Sequence, residues 1–121
     1  VLLIDDSIVR GNTSKQIVQM ARDAGAEKVF FASASPPIVF PNVYGIDMPY
    51  VKELIAYNKT IDQICDEIGA DKLIYQDLED LVASVKKLNP SIQTFDTSCF
   101  DGKYITDGVS EEYLDKLHKH R

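Results

Sequence analysis

Residues Val1–Ser14 read VLLIDDSIVRGNTS, and this stretch decides the architecture. Four apolar residues run into two adjacent aspartates, and the chain then passes through Arg10-Gly11-Asn12 into Thr13 and Ser14. A continuous apolar run of this length reads as a buried parallel strand, Val1–Ile4. Ile17, Val18, Met20 and Ala21 supply the apolar face of a helix over Thr13–Ala24, with Gly25 as its stop. Lys28–Ser33 is a second short strand. Strand, helix and strand in so few residues make a βαβ unit, so the sheet is parallel. The expected class is α/β, a doubly wound parallel sheet.

Adjacent carboxylates repel each other, and such a pair persists where something cationic or hydroxyl-bearing fills the space between them. Ligands of open parallel sheets collect at the carboxyl ends of the strands, where Asp5 and Asp6 fall. The loop Gly11-Asn12-Thr13-Ser14 opens the following helix, where unpaired amides and the helix dipole favour a phosphate. Gly11 permits close approach of the backbone, and Thr13 and Ser14 add hydroxyl donors. Ser14 is also a candidate helix cap. Carboxylates for hydroxyls or a metal thus stand about a ribose-length from amides for a phosphate, with Arg10 adding positive charge. A ribose 5-phosphate matches that pairing. The plainer reading gives the aspartates only the end of a strand and Ser14 only a cap.

The remaining pattern is less sharp. Ser35–Pro41 is irregular and proline-punctuated. Helical patterns cover Tyr50–Tyr57 and Ile61–Ile68, Lys72–Tyr75 is a short strand, and Leu78–Leu88 is an amphipathic helix ending before Asn89-Pro90. Residues Ile92–Ile105 alternate weakly, and a last helix spans Glu111–His118. Cys65 falls on the apolar face of its helix with Ile64 and Ile68, Tyr75, Phe100 and Tyr104 read as packing rather than base stacking, and His118 and His120 read as solvated. Pro36-Pro37 could shape a wall near the site.

The composition, 45% hydrophobic and 26% charged, is that of an ordinary globular chain long enough to bury a core. A net charge of −6 argues against a general nucleic-acid footprint. No apolar run approaches the ~18 residues of a membrane span. Two cysteines, Cys65 and Cys99, make neither a disulfide framework nor a zinc site, and a reducing cytoplasm is the expected location. Neither G-x-x-x-x-G-K-[ST] nor G-x-G-x-x-G occurs. A phosphoacceptor receiver domain is a rival reading of the acidic pair. Its helix, however, would start straight after the aspartates, where Gly11-Asn12 intervenes, and Pro41–Gly45 makes a poor buried strand before Asp47. Val1 begins inside the apolar run, so the expectation is a piece of a longer polypeptide.

The stretch VLLIDDSIVRGNTS resembles the phosphoribosyl-pyrophosphate (PRPP) binding motif of type I phosphoribosyltransferases. More narrowly, the chain is similar to the C-terminal part of the amidophosphoribosyltransferase family. TSKQIV, ARDAGA, FASASPP, PNVYGIDMP, ELIA, IGADKLIYQDLEDL and FDGKY carry that likeness in order along nearly the whole chain. One departure is Asn12, where the family usually has Thr. The resemblance implies that residues 1–95 belong to the phosphoribosyltransferase domain and 96–121 to a C-terminal extension.

It further implies that Asp5 and Asp6 contact ribose hydroxyls and help place Mg²⁺. Arg10, Gly11, Asn12, Thr13 and Ser14 would cradle the 5-phosphate, with Lys15 close by. The implied reaction takes PRPP and glutamine to 5-phosphoribosylamine. Glutamine would be hydrolysed by an N-terminal cysteine in a separate domain, so no catalytic residue falls in this segment. Purine nucleotides as feedback inhibitors and a homotetramer are implied too. Some members hold an iron–sulfur cluster, but two ligand positions fall at Asn42 and Asp96, leaving Cys99, so no cluster is expected. The alternative on the same fold is a non-catalytic PRPP or nucleotide sensor, which would be expected to carry a basic DNA-binding segment.

Overall fold

The computed structural model describes residues 1–119, so His120 lies outside the described residues. Three strands, β1 (Leu2–Asp5), β2 (Phe30–Ser33) and β3 (Lys72–Tyr75), form a parallel sheet in the order β1-β2-β3. Helix α1 (Asn12–Asp23) links β1 to β2, and α2 (Ile61–Ile68) precedes β3. Helices α3 (Leu78–Leu88), α4 (Ser98–Asp101) and α5 (Glu111–Lys119) follow. The α/β class with a parallel sheet is therefore the observed one.

Strand periodicity sorts the side chains. Leu3, Phe31 and Leu73 lie in register on one face, against Val18 of α1 and Ile64, Cys65 and Ile68 of α2. Phe31 and Val29 are fully buried there. Leu2, Ile4, Phe30 and Ile74 point to the other face and stay exposed, Ile4 at 73%. The strand expected at Val1–Ile4 forms as β1 and, among the described residues, pairs with β2 alone. Within those residues β2 lies between β1 and β3, and alternate residues of β1 turn inward. Met20, expected on the apolar face of α1, is also exposed, because only Val18, with Ile17 and Ala21 partly buried, faces the core.

Helix boundaries follow local chemistry. Gly25 and Gly69 terminate α1 and α2 with positive φ, as their sequence positions suggest. α2 opens with a capping box: Thr60 Oγ1 accepts from Gln63 N–H at 3.2 Å, and Thr60 N–H donates to Gln63 Oε1 at 2.9 Å. The helix expected over Tyr50–Tyr57 is not formed; a 3₁₀ turn at Val51–Glu53 stands in its place. Leu54 turns extended, and the Ile55 N–H donates to Val9 C=O at 2.9 Å instead of to a helical acceptor. Leu54, Ile55 and Ala56 are then buried consecutively, which a helix face would not allow. The weak alternation over Ile92–Ile105 forms no strand; α4 occupies its middle.

Asp71 ties β2, α1 and the start of β3 together. Its carboxylate accepts the Val29 N–H at 2.8 Å and Arg22 Nη2 at 2.9 Å, with Lys28 Nζ at 3.7 Å. The Val29 amide, and then the Arg22 hydrogen bond, hold its pKa below the ordinary 3.8. A depressed folded pKa stabilises fully above the unfolded value, and that stabilisation is lost as pH falls through the folded one. Asp71→Asn in the full-length protein is therefore expected to lower the melting temperature at neutral pH. The gap to wild type should narrow as both are acidified to about pH 3. A gap independent of pH would show that the charge is not what matters.

Candidate functional site

The carboxyl end of β1 and the start of α1 enclose a cavity of about 480 Å³. Asp5, Asp6, Ser7, Val9, Arg10, Gly11, Asn12, Thr13 and Ser14 line it. Seven of the eight residues singled out from sequence thus share one concavity. Lys15 is the exception; it is exposed in the first turn of α1 and lines no part of it.

Each side chain has a local reason for its place. Asp5 closes β1 opposite Ser33, and its Oδ1 accepts the Asp6 N–H at 2.9 Å, so the backbone turns sharply between the two carboxylates. Ser7 Oγ donates to Asp6 Oδ1 at 3.3 Å. Ile8 is buried in the core, anchoring the loop between the acidic pair and the helix. Gly11 is the N-cap of α1 with φ 82°, and its carbonyl accepts the Lys15 N–H at 2.9 Å. No side chain caps the helix. Ser14, a candidate cap in the sequence, sits inside the first turn instead, because Gly11 starts the helix three residues earlier. The amides of Asn12, Thr13 and Ser14 belong to the first turn, which has no intrahelical acceptors for them. The residues that carry these donors and the positive end of the dipole therefore line the same cavity as the carboxylates.

Could such a cavity hold a divalent cation? Among the described residues no group of three or more His, Cys, Asp and Glu side chains gathers as a metal site. Asp5 and Asp6 alone do not form an all-protein cage. They suit the binding mode of Mg²⁺, which uses one or two carboxylates and completes its shell with water and substrate phosphate oxygens.

Sequence reasoning missed Ser7 and Val9 as lining residues, although both lie inside the quoted motif. It also missed Glu53, whose Oε2 accepts from Arg10 Nε at 3.1 Å, because no local signal links residues 43 positions apart.

Over all 121 residues the chain is 61% identical to the amidophosphoribosyltransferase of Haemophilus influenzae and 60% identical to that of Pasteurella multocida. Over its whole length the chain is thus similar to one segment of the amidophosphoribosyltransferases. It spans 24% of the length of each of these relatives. Among solved structures, it is similar to a glutamine PRPP amidotransferase from Bacillus subtilis complexed with ADP and GMP, with a TM-score of 0.76 and 40% identity. That match covers 93% of this chain and 25% of the other. No family model matches the chain.

The other residues noted in the sequence lie elsewhere. Cys65 is a core residue whose thiol donates to Ala70 C=O at 3.2 Å, and burial pushes its pKa up. Tyr75 packs against the same core, and burial pushes its phenol up to about 12. Tyr104 donates to Pro41 C=O at 2.7 Å, and Phe100 is half-buried in α4. Pro36 is buried and Pro37 half-buried, and neither lines the cavity. His118 is exposed as expected, but its ring stacks on Tyr50 at 3.9 Å, a contact the amphipathic pattern did not indicate. Asn42 Oδ1 accepts the amides of Tyr44 and Ile46, and Asp96 Oδ1 accepts the amide and hydroxyl of Ser98. Cys99 lies beside both residues; burial and the Asp96 charge push its thiol up, opposed by hydrogen bonding with Asn42 and Ser98. No described helix is long and apolar enough to cross a membrane.

Proposed function

We propose that this chain supplies the PRPP-binding motif of an amidophosphoribosyltransferase, acting at the first committed step of purine nucleotide synthesis. The observation that carries the reading is the cavity at the end of β1, lined both by the carboxylates and by the first-turn residues of α1. Asp5 and Asp6 accept hydrogen bonds from the ribose hydroxyls. The amides of Asn12, Thr13 and Ser14, the hydroxyls of Thr13 and Ser14, and the guanidinium of Arg10 hold the 5-phosphate. Asn12 keeps an amide donor where the family usually has a hydroxyl.

With the sugar held at both ends, C1 is presented in a fixed orientation. Its bond to the pyrophosphate oxygen breaks, the electron pair leaves with pyrophosphate, and ammonia forms the new C–N bond and loses a proton. The product is 5-phosphoribosylamine. Orientation lowers the entropic part of this barrier, and the carboxylates stabilise the positive charge growing on the sugar. Mg²⁺, held by Asp5 and Asp6 together with substrate oxygens, would neutralise charge on the departing group. Glutamine, hydrolysed elsewhere in the full-length protein, is the proposed source of ammonia. Purine nucleotides are the proposed feedback inhibitors of a cytoplasmic homo-oligomer. With Cys99 as the lone thiol beside Asn42 and Asp96, the same reading carries no iron–sulfur cluster.

Pyrophosphate release from PRPP by the full-length protein, with ammonia as the acceptor and Mg²⁺ present, tests this reading. Ammonia-dependent release is expected. PRPP binding without release would favour the sensor.

A further inference from the structure

The phosphate loop is held from behind by a segment more than 40 residues away in the chain. Ile55 N–H donates to Val9 C=O at 2.9 Å, and Glu53 Oε2 accepts from Arg10 Nε at 3.1 Å. Gly11 completes the contact. A Cβ placed on Gly11 would stand 2.3 Å from Ile55 Cδ1 and 3.3 Å from Cγ1, so the Ile55 side chain fills the hollow that glycine leaves. Val9, Arg10 and Gly11 are therefore each met by residue 53 or 55. Ile55 is 3% exposed and belongs to the core with Ile8 and Ala56, yet lines no part of the cavity.

Resting on the proposed function, we infer that Ile55 is a positioning residue for the 5-phosphate cradle, acting through Gly11 and the Val9 carbonyl. Gly11 has two demands on it: a left-handed φ that aims the first-turn amides, and no side chain, so that the backbone can close on Ile55. The closed contact fixes where the amides point. Anion affinity at a helix N-terminus depends on that aim, because hydrogen bonds weaken steeply as they bend. Loosening the contact leaves every ligand-touching group in place while blurring its geometry.

A double-mutant cycle in the full-length protein tests this, read as the KM for PRPP, the KM for ammonia and the melting temperature. Ile55→Ala is expected to raise the PRPP KM about tenfold while the ammonia KM stays unchanged. Ile55→Val, which removes only Cδ1, should stay within about twofold of wild type. Gly11→Ala should raise the PRPP KM by about tenfold or more, and adding Ile55→Val should recover about threefold or more of that loss by vacating the point of closest contact. Should Ile55→Ala fail to fold, the Gly11→Ala and Ile55→Val pair still decides. A double variant no better than Gly11→Ala alone, or an Ile55→Ala protein with the wild-type PRPP KM, would overturn the inference. Failure of the functional reading looks different: wild type itself would not consume PRPP, whether or not it binds it.

Discussion

Asp5→Asn and Asp6→Asn, made separately in the full-length protein, are each expected to lower kcat/KM for PRPP roughly ten- to hundredfold in the ammonia-dependent assay. Each change keeps the side-chain volume and removes a charged acceptor facing the cavity. A charge-assisted hydrogen bond is worth about 1.5–3 kcal/mol, which sets that range. Basal glutamine hydrolysis should be untouched, because neither carboxylate takes part in it under the proposed division of labour. The Asp5 carboxylate has a second task, accepting the Asp6 N–H, so Asp5→Asn should also show a small loss of thermal stability. Wild-type PRPP kinetics in both variants would remove the acidic pair from the site.

Residues 1–121 expressed alone are expected to aggregate, or to remain soluble with weakly protected β1 amides, and to form no 5-phosphoribosylamine from PRPP and ammonia. One sheet face carries Leu2, Ile4, Phe30 and Ile74 in the open, with Ile4 at 73% exposure. Soluble monomers rarely leave contiguous apolar patches beyond a few hundred Å² uncovered. β1 and β3 each also present a strand edge with no partner among the described residues. The covered face alone must hold the sheet, and its core rests on small elements: three four-residue strands and an eight-residue α2. Hydrogen exchange and light scattering on the isolated segment give the answer. A monodisperse, strongly protected and active preparation would contradict this account of the open face.

The sequence made some of this architecture readable and concealed the rest for physical reasons. Val1–Ser14 announces strand, acidic end and helix start because each signal is local: an apolar run, adjacent carboxylates, and a glycine before a helix. Lys72–Tyr75 and Leu78–Leu88 were legible for the same reason, and both occur at those bounds. The Tyr50–Tyr57 segment misled because its apolar spacing fits a helix, whereas its real partner is the Val9 carbonyl. Ile55 is buried in the core and packs against Gly11, a contact between residues 44 positions apart that no short window of sequence shows. The all-apolar run at Val1–Ile4 signals a strand that needs cover on both faces, and within the described residues Leu2 and Ile4 lie on the uncovered one. Of the residues taken from the motif, seven line one cavity, but the place of Ser14 inside the first turn and of Lys15 outside the cavity needed the start of α1 at Asn12.

A crystal structure of the full-length protein with ribose 5-phosphate decides whether the end of β1 holds a sugar phosphate. The phosphate is expected on the amides of Asn12, Thr13 and Ser14, with the ribose hydroxyls within hydrogen-bond reach of Asp5 and Asp6. Density for the sugar phosphate elsewhere, with the cavity between β1 and α1 holding only solvent, would contradict the account.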